Sequence, residues 1–288
     1  MQSESPEEIR RTADLIDSEI HSLLIRRAAK GGTLSGKEGS SPLSVSFAEA
    51  ATILRGILSR PSGTFPLRAL VRIWSDIFFG ADRDVTLHVF GGENAAGFWD
   101  LARTHYGCAM PMISHHSATA VVHACADDPR ALGLVPPPDS AENGNAWWEQ
   151  LAPAGHAGPR IAQSLPFVRN DSCPVPLPQG YAIGTIEQEA TGADTSILKL
   201  ECHSELSRAK LQSLLRQAGF DAQILAASRE SAKSAASRLL VANRGFVSAD
   251  DERIPALSNK GSDAISRVAL VGGFADPFDA TPSQNIES

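Results

Sequence analysis

Residues 85–136 read VTLHVFGGENAAGFWDLARTHYGCAMPMISHHSATAVVHACADDPRALGLVP, a stretch in which short apolar runs alternate with longer amphipathic segments. The runs VTLHVF, AMPMIS and ALGLVP have the length and composition of strands. The segments between them, GFWDLARTHYG and SATAVVHACADD, have the length and spacing of helices. This order of strand, helix, strand, helix and strand predicts a layered α/β unit.

The chain after this unit changes character twice. Residues 135–144 predict a loop, and NAWWEQLA at 145–152 predicts a short helix over the sheet. The proline-rich residues 164–180 are typical of a linker. Beyond it we expect an α+β sandwich of ferredoxin-like type, followed by a disordered polar tail at 279–288. The expected elements are a strand at 195–202, a helix at 207–220, a strand at 221–228, a helix at 231–245 and a strand at 266–274.

The chain before residue 84 contains helix signals. A long first helix is predicted to open in the sequence SPEE at residues 5–8 and to end at the glycines of residues 31–32. A second helix is predicted to begin at Ser46, with a capping box to Glu49, and a third at Thr64 or Pro66. The apolar stripe of the first helix is formed by Ile9, Ala13, Ile16, Ile20, Leu23 and Leu24.

This stripe extends past what two short helices can cover. A second copy of the same helix would cover the remainder. The pattern therefore predicts a homodimer whose long helices pair across a two-fold axis.

Composition limits the classes of function. The 288 residues carry 26 Lys+Arg and 33 Asp+Glu, a formal net charge of −7. An acidic chain is a poor match for nucleic acid or an anionic membrane, so any basic site must be local. The 4 cysteines form no CxxC pair, which argues against a zinc site. The N-terminus does not resemble a signal peptide and no run is long enough to span a membrane, so we expect a cytoplasmic protein.

Arg27 continues the apolar stripe of the first helix. A guanidinium at such a position either bonds a carboxylate of the protein or binds an anionic ligand. Arg10 lies on the same helix, about a quarter turn around it and about 25 Å away. A small ligand can contact both arginines only if Arg10 belongs to a partner subunit.

Several stretches together resemble a known family. IRRTADLIDSEIHSLLIRR (9–27), AATILRGIL (50–58) and ALVRIWSDIF (69–78) resemble the all-helical chorismate mutases. FGGENAAGFWDLARTHYG, PMISHHSATAVVHA, LGLVPPPDS and AWWEQLA are similar to bacterial proteins in which that helical domain precedes a reduced prephenate-dehydratase-like region.

The resemblance implies a multidomain fold of α and α/β type. A three-helix chorismate-mutase-like domain is expected at 1–83 and an α/β dehydratase-like remnant at 84–170. An α+β unit is expected at 171–278, where the AGF turn before DAQIL resembles ACT-type regulatory modules.

The resemblance also implies a Claisen rearrangement of chorismate to prephenate in aromatic amino acid biosynthesis, an isomerase reaction that needs no metal or cofactor. By motif position, Arg27 binds one carboxylate of the dianion within its own chain, and Arg10 reaches the other across the homodimer. Lys37 is expected to bond the ether oxygen, with Lys30 as a weaker candidate for that role.

Two positions depart from the family. Where the family carries an Arg-Glu pair entering the second helix, this chain has Glu49 and Ala50. A carboxylate there repels a dianionic substrate. These departures favour an alternative, in which the chain is a non-catalytic binding or regulatory protein that senses an aromatic metabolite or binds a partner enzyme.

Three further features need separate interpretations. The Thr-Arg-[FY] motif of prephenate dehydratases is replaced by PVPLPQG, so we expect no dehydratase activity. The GGEN turn at 91–94 is interpreted as a plain strand-to-helix turn rather than an anion site. We expect His115–His116 to be a solvated loop pair or helix cap, and Trp147–Trp148 to place one ring over the sheet and the other at an interface. A Cys202–His203 dyad is left open.

Overall fold

The computed structural model describes residues 5–31, 43–60, 63, 65–80, 82, 84–138, 146–169, 176–203, 205–229, 236–260 and 264–280. It divides into two compact units, Met1–Glu38 and Gly39–Ser288. Residues 32–42 and 281–288 lie outside the described residues, and with them Lys37 and most of the expected tail.

The first unit contains one long helix, α1, at Pro6–Gly31 (26 residues). A reciprocal capping box begins it. The Ser5 backbone N–H donates to Glu8 Oε2 at 2.8 Å, and the Glu8 N–H donates to Ser5 Oγ at 3.3 Å. Hydrogen bonds from the Ser5 backbone and side chain to the Glu8 carboxylate lower the pKa of Glu8. The start and end predicted for this helix are confirmed.

The second unit is a mixed α/β structure. Its helices are α2 (Phe47–Leu58), α3 (Leu67–Phe79), α4 (Ala95–Tyr106), α5 (Ala118–Asp127), α6 (Arg208–Gln217) and α7 (Arg253–Lys260), and a 3₁₀ turn spans Trp147–Gln150. Its strands are β1 (Leu87–Phe90), β2 (Met112–His115), β3 (Leu132–Val135), β4 (Arg160–Leu165), β5 (Val168–Arg169), β6 (Gly180–Gly184), β7 (Asp194–His203), β8 (Ala222–Arg229), β9 (Ala236–Arg244), β10 (Ile265–Ala275) and β11 (Phe278–Asp279).

Nine strands form one sheet in the order β2-β1-β3-β6-β4-β10-β7-β9-β8. β1 lies parallel to β2 and β3, with α4 connecting β1 to β2 and α5 connecting β2 to β3. The pairs from β3 to β4 and from β10 to β8 are antiparallel, and a parallel pairing joins β4 to β10. The predicted order β1-α4-β2-α5-β3 is confirmed.

Two parts of the second half differ from the prediction. The helix expected at 231–245 is wrong, because Ala236–Arg244 is strand β9. Leu239 and Val241 pack into one apolar core, whereas Leu240 and Ala242 pack into the other on the opposite face of the sheet. Because both the odd-numbered and the even-numbered positions of β9 are apolar, the strand lacks the alternation of apolar and polar residues by which strands are recognised.

The linker expected at 164–180 overlaps three strands, namely the end of β4, all of the short β5 and the first residue of β6. β4 and β6 pair antiparallel at the centre of the sheet, and every residue of β4 is buried. A strand covered on both faces again shows no alternation, and the prolines beside it hide it further.

Helices α2 and α3 belong to the larger unit. Phe47 of α2 and Phe79 of α3 lie 6.2 Å apart between ring centroids, and Phe79 lies 5.3 Å from the ring of Tyr106 on α4. All three are buried in the core that also contains β1 and β3. The boundaries expected at 83, 170 and 278, and the ACT-like character of the last unit, stay predictions.

Among the described helices, none combines the length and the apolar composition needed to cross a bilayer.

Candidate functional site

The expected anion-binding arginines lie on α1. Arg10 is exposed and Arg27 is half-buried. They are separated by 17 positions, which is about 25 Å along a helix axis. One small ligand therefore cannot contact both arginines of the same α1.

An exposed apolar stripe runs between these arginines. Ile16 is 52% exposed, Ile20 49% and Leu23 48%. These side chains belong to one apolar face of the helix. The midpoint between Arg10 and Arg27 falls between Ser18 and Glu19, near the centre of this stripe.

The other residues expected at the site are distributed differently. Lys37 lies outside the described residues, as does the side chain of Lys30. Ala50 on α2 is 2% exposed and packs in the core, so this position has no room for a charged side chain. Glu49 is half-buried beside it.

The start of α2 is fixed by local bonds. Ser46 is its N-cap, and Ser46 Oγ accepts from the Glu49 N–H at 3.3 Å. The same hydroxyl donates to Glu189 Oε2 at 2.7 Å. The N-cap predicted at Ser46 is confirmed, and this end of α2 is tied to the segment before β7.

The GGEN turn connects β1 to α4. A Cβ added at Gly91 would collide with the hydroxyl of Ser114, and one at Gly92 would collide with the ring of Phe90. Asn94 has φ of 60° and makes no side-chain cap bond. Neighbouring side chains already occupy the space on both glycines, which supports the interpretation as a plain turn.

A histidine pair lies at the edge of the sheet. His88 on β1 and His115 on the neighbouring edge strand β2 place His88 Nδ1 2.7 Å from His115 Nε2. Their ring centroids are 4.9 Å apart. Burial lowers the pKa of His88 and the charge of His115 lowers it further, whereas Asp128 raises it. The expectation of a solvated loop pair is wrong for His115, which ends a strand and contacts another imidazole.

Sequence reasoning missed His88 because its partner is 27 positions away. The two histidines meet because His88 is in register with Ile113, two residues before His115 on the same face of β2. A register between parallel strands cannot be read from one sequence. The signal available was only that the predicted strand VTLHVF carried one histidine and that another followed directly after the predicted strand AMPMIS.

A second histidine is buried in the core. His105 Nε2 lies 3.1 Å from Gln163 Oε1, and the Tyr106 hydroxyl donates to the same oxygen at 2.9 Å. Burial lowers the pKa of His105 to about 4, and the bond from Gln163 opposes that shift. His105 is 7% exposed and Gln163 6%. This group fixes α4 to β4.

The remaining candidates have structural roles. Trp147 and Trp148 are both buried in the core of the chain. Neither ring is therefore exposed on the surface, where one of them was expected to form an interface. Cys202 is buried in the smaller core and His203 is exposed, and successive strand residues point to opposite faces. Burial raises the pKa of Cys202 to about 11, so it stays a thiol. The open Cys–His dyad is therefore ruled out.

Comparisons with known proteins give distant structural matches. No protein-family model matches the chain, and no curated protein is similar to it. The structure of GqqA, described as a novel type of quorum quenching acylase, has a TM-score of 0.47 at 11% identity over 70% of this chain and 98% of that one. The prephenate dehydratase from Streptococcus mutans has a TM-score of 0.44 at 13% identity over 67% of this chain and 98% of that one. The prephenate dehydratase from Staphylococcus aureus subsp. aureus Mu50 has a TM-score of 0.43 at 12% identity over 66% and 99%. Likeness at this level assigns no activity to this chain.

Proposed function

We propose that this chain is a cytoplasmic chorismate mutase of aromatic amino acid biosynthesis, whose site forms when two copies pair their α1 helices. The observation that carries the proposal is the exposed apolar stripe of α1 with Arg10 and Arg27 toward its two ends. The sequence resemblance of residues 9–27 to chorismate mutases supports the same reading.

The spacing of Arg10 and Arg27 along α1 suits a two-fold symmetric pair of helices. Arg10 and Arg27 are each about 13 Å along the axis from the midpoint of α1. In an antiparallel pair centred at that midpoint, Arg10 of one copy lies level with Arg27 of the other. The two-fold axis generates two such arginine pairs, one at each end of the interface. Each pair offers two guanidiniums to one small dianion.

The chemistry requires positioning and charge rather than covalent catalysis. Chorismate carries two carboxylates, and guanidinium groups bind carboxylates with two parallel hydrogen bonds. Holding both carboxylates favours the compact conformation in which the new carbon–carbon bond can form. Negative charge gathers on the ether oxygen as the old bond breaks, and Lys37 is the proposed donor there.

Ala50 and Glu49 set an expectation for the rate. A missing preorganised donor costs about 3 kcal/mol of transition-state stabilisation. At the two positions where the resemblance implies an Arg-Glu pair, this chain carries the acidic Glu49 and the uncharged Ala50, and therefore no cation. We therefore propose slow catalysis relative to an enzyme with a complete cationic set.

The test is the rate of chorismate loss in the presence of the purified dimer. We expect acceleration over the spontaneous reaction, and a loss of kcat/KM of about 100-fold or more in Arg27→Ala. Arg27→Lys keeps the positive charge but loses the paired N–H donors of the guanidinium. Its kcat/KM should therefore fall between those of the unaltered chain and of Arg27→Ala. Arg26→Ala is the matched control, because Arg26 is exposed, adjacent and about 100° around the helix. If the folded dimer does not accelerate the loss of chorismate at millimolar concentration, chorismate mutase activity is excluded.

The buried Ala50 favours one second candidate, a non-catalytic regulatory protein that senses a metabolite of aromatic amino acid biosynthesis or binds a partner enzyme. Calorimetric titration with prephenate separates the two. Binding that requires Arg10 and Arg27, without turnover of chorismate, identifies the regulatory protein.

A further inference from the structure

His88 and His115 present two ring nitrogens to one point at the sheet edge. The distance of 2.7 Å joins His88 Nδ1 to His115 Nε2. Both residues are half-buried, and β2 is an edge strand with Ile113 beside His88 exposed by 48%. The pair is therefore fixed by the sheet and open to solvent on one side.

The register of the strands determines which face of the sheet carries the two imidazole rings. His88 is in register with Gly133 on β3, and a Cβ at Gly133 would meet Val121 and Cys125 of α5. His88 and His115 thus lie on the α5 face of the sheet. Neighbouring parallel strands hold their backbones at a fixed spacing, so the two imidazoles are preorganised as a pair without a ligand.

A metal ion with two cis ligands requires a similar spacing. With metal–nitrogen bonds of about 2.0–2.1 Å, a 90° angle places the two nitrogens about 2.9 Å apart. A tetrahedral angle places them about 3.3 Å apart. The observed 2.7 Å is the distance of the hydrogen bond between the two rings, and the smaller of the two movements, about 0.2 Å, brings the nitrogens to the 90° spacing. We propose that His88 and His115 form a two-imidazole binding site for a divalent transition metal ion that prefers 90° ligand angles, of the Ni²⁺ or Cu²⁺ class.

The proton balance of binding is simple. In the resting pair one neutral ring donates and the other accepts, so one proton lies between the two nitrogens. On metal binding this proton moves to the far nitrogen of the donor ring, which thereby takes its other neutral tautomer, and both rings turn so that their lone pairs point at an ion lying off the line between the two nitrogens. No redox change is involved, and the remaining coordination positions are filled by water.

The surrounding charge is compatible with a cation. Asp128 acts electrostatically on His88, and the chain carries a net charge of −7. No cluster of three or more His, Cys, Asp or Glu side chains with metal-binding geometry occurs among the described residues. Two protein ligands define a site of moderate affinity, which exchanges its metal with the solution.

The experiment is titration of the purified full-length chain with Ni²⁺ at pH 7.5. We expect one ion per chain, and binding at least tenfold weaker in both His88→Ala and His115→Gln. His116→Ala is the matched control, since His116 is exposed and outside the pair, and it should bind as the unaltered chain does. His115→Gln, at the exposed edge, keeps the test valid if His88→Ala unfolds.

Two further measurements identify the ligands. The electron paramagnetic resonance spectrum of the Cu²⁺ complex should show coupling to two imidazole nitrogens, and to at most one in either variant. Ni²⁺ affinity should fall in acid, because both imidazoles must be neutral to bind the metal. Equal Ni²⁺ binding by the unaltered chain and His115→Gln, or no binding by either, would overturn the site.

Discussion

His105 Nε2 lies 3.1 Å from Gln163 Oε1 inside the core, with no charged group in that bond. The pair joins the C-terminal end of α4 to the central strand β4, and the Tyr106 hydroxyl shares the same oxygen at 2.9 Å. A neutral imidazole suits this site, whereas an imidazolium does not, because burial penalises the charge.

The stability of the fold should therefore fall in mild acid. The pKa of His105 is lowered to about 4 in the folded chain, below the value near 6.5 of an exposed histidine. A depressed pKa gives stability that is complete above about pH 6.5 and is lost as the pH falls toward about 4. The loss approaches about 3 kcal/mol below pH 4. Denaturant unfolding at several pH values measures it.

His105→Leu is the control for that profile. It removes the titrating ring, so the difference in unfolding free energy between His105→Leu and the unaltered chain should change with pH in this window. The Tyr106–Gln163 bond remains in the variant. A difference that stays constant between pH 7 and pH 4 would show that His105 does not titrate as its burial requires.

Replacement of two glycines by alanine should change the stability of the fold in opposite directions. A Cβ at Gly133 in β3 would lie 2.6 Å from Val121 Cγ1, 2.7 Å from Ile183 Cγ1 and 2.8 Å from Cys125 Sγ. Gly133→Ala should therefore cost about 1–3 kcal/mol through overpacking. Gly56 in α2 has nothing within 4 Å of such a Cβ, so Gly56→Ala should stabilise by about 0.5–1 kcal/mol. Thermal unfolding of both variants gives the two signs, and stabilisation by Gly133→Ala would contradict the close packing of α5 on β3.

Arg55 should anchor α2 to the sheet. Its guanidinium donates to Thr191 Oγ1 at 2.9 Å, to the Ala193 carbonyl at 2.9 Å and to the Asp276 carbonyl at 2.6 Å. Arg55→Met keeps the aliphatic stem and removes these bonds, so it should destabilise the fold by about 2–3 kcal/mol. Arg60→Met, at an exposed position after the same helix, should change the unfolding free energy by less than about 0.5 kcal/mol. Equal stability of the two variants would show that the three bonds contribute nothing.

The fold was predictable where local signals are complete. Ser5 and Glu8 satisfy each other's backbone donors, so the start of α1 is encoded within four residues. The β1-α4-β2-α5-β3 order is encoded by changes of hydrophobic period. β9 was missed because Leu240 and Val241 face different cores, and both faces of the strand are covered.

The candidate sites were predictable only in part. Arg10 and Arg27 were found because a cation beside or within an apolar helical stripe is visible in the sequence. The His88–His115 pair depends on the register of two strands, and the His105–Gln163 bond joins residues 58 positions apart. Neither relationship has a local pattern, since long-range packing alone brings the partners together.

The proposed pairing of α1 can be tested by a disulfide across the two-fold axis. In an antiparallel pair centred between Ser18 and Glu19, Ile20 lies on the apolar stripe and within about 5 Å, along the axis, of its own counterpart. Ile20→Cys in a Cys108→Ser background should form a covalent dimer on oxidation, because helices in contact place such residues within disulfide reach. Non-reducing electrophoresis measures the dimer. Ser18→Cys is the matched control, since Ser18 is exposed and lies about 1.5 Å along the axis from its own counterpart, but about 170° away from the stripe centre. Efficient cross-linking through Ser18→Cys and none through Ile20→Cys would place another face of α1 at the interface, and Arg10 would then no longer meet Arg27 of the second copy.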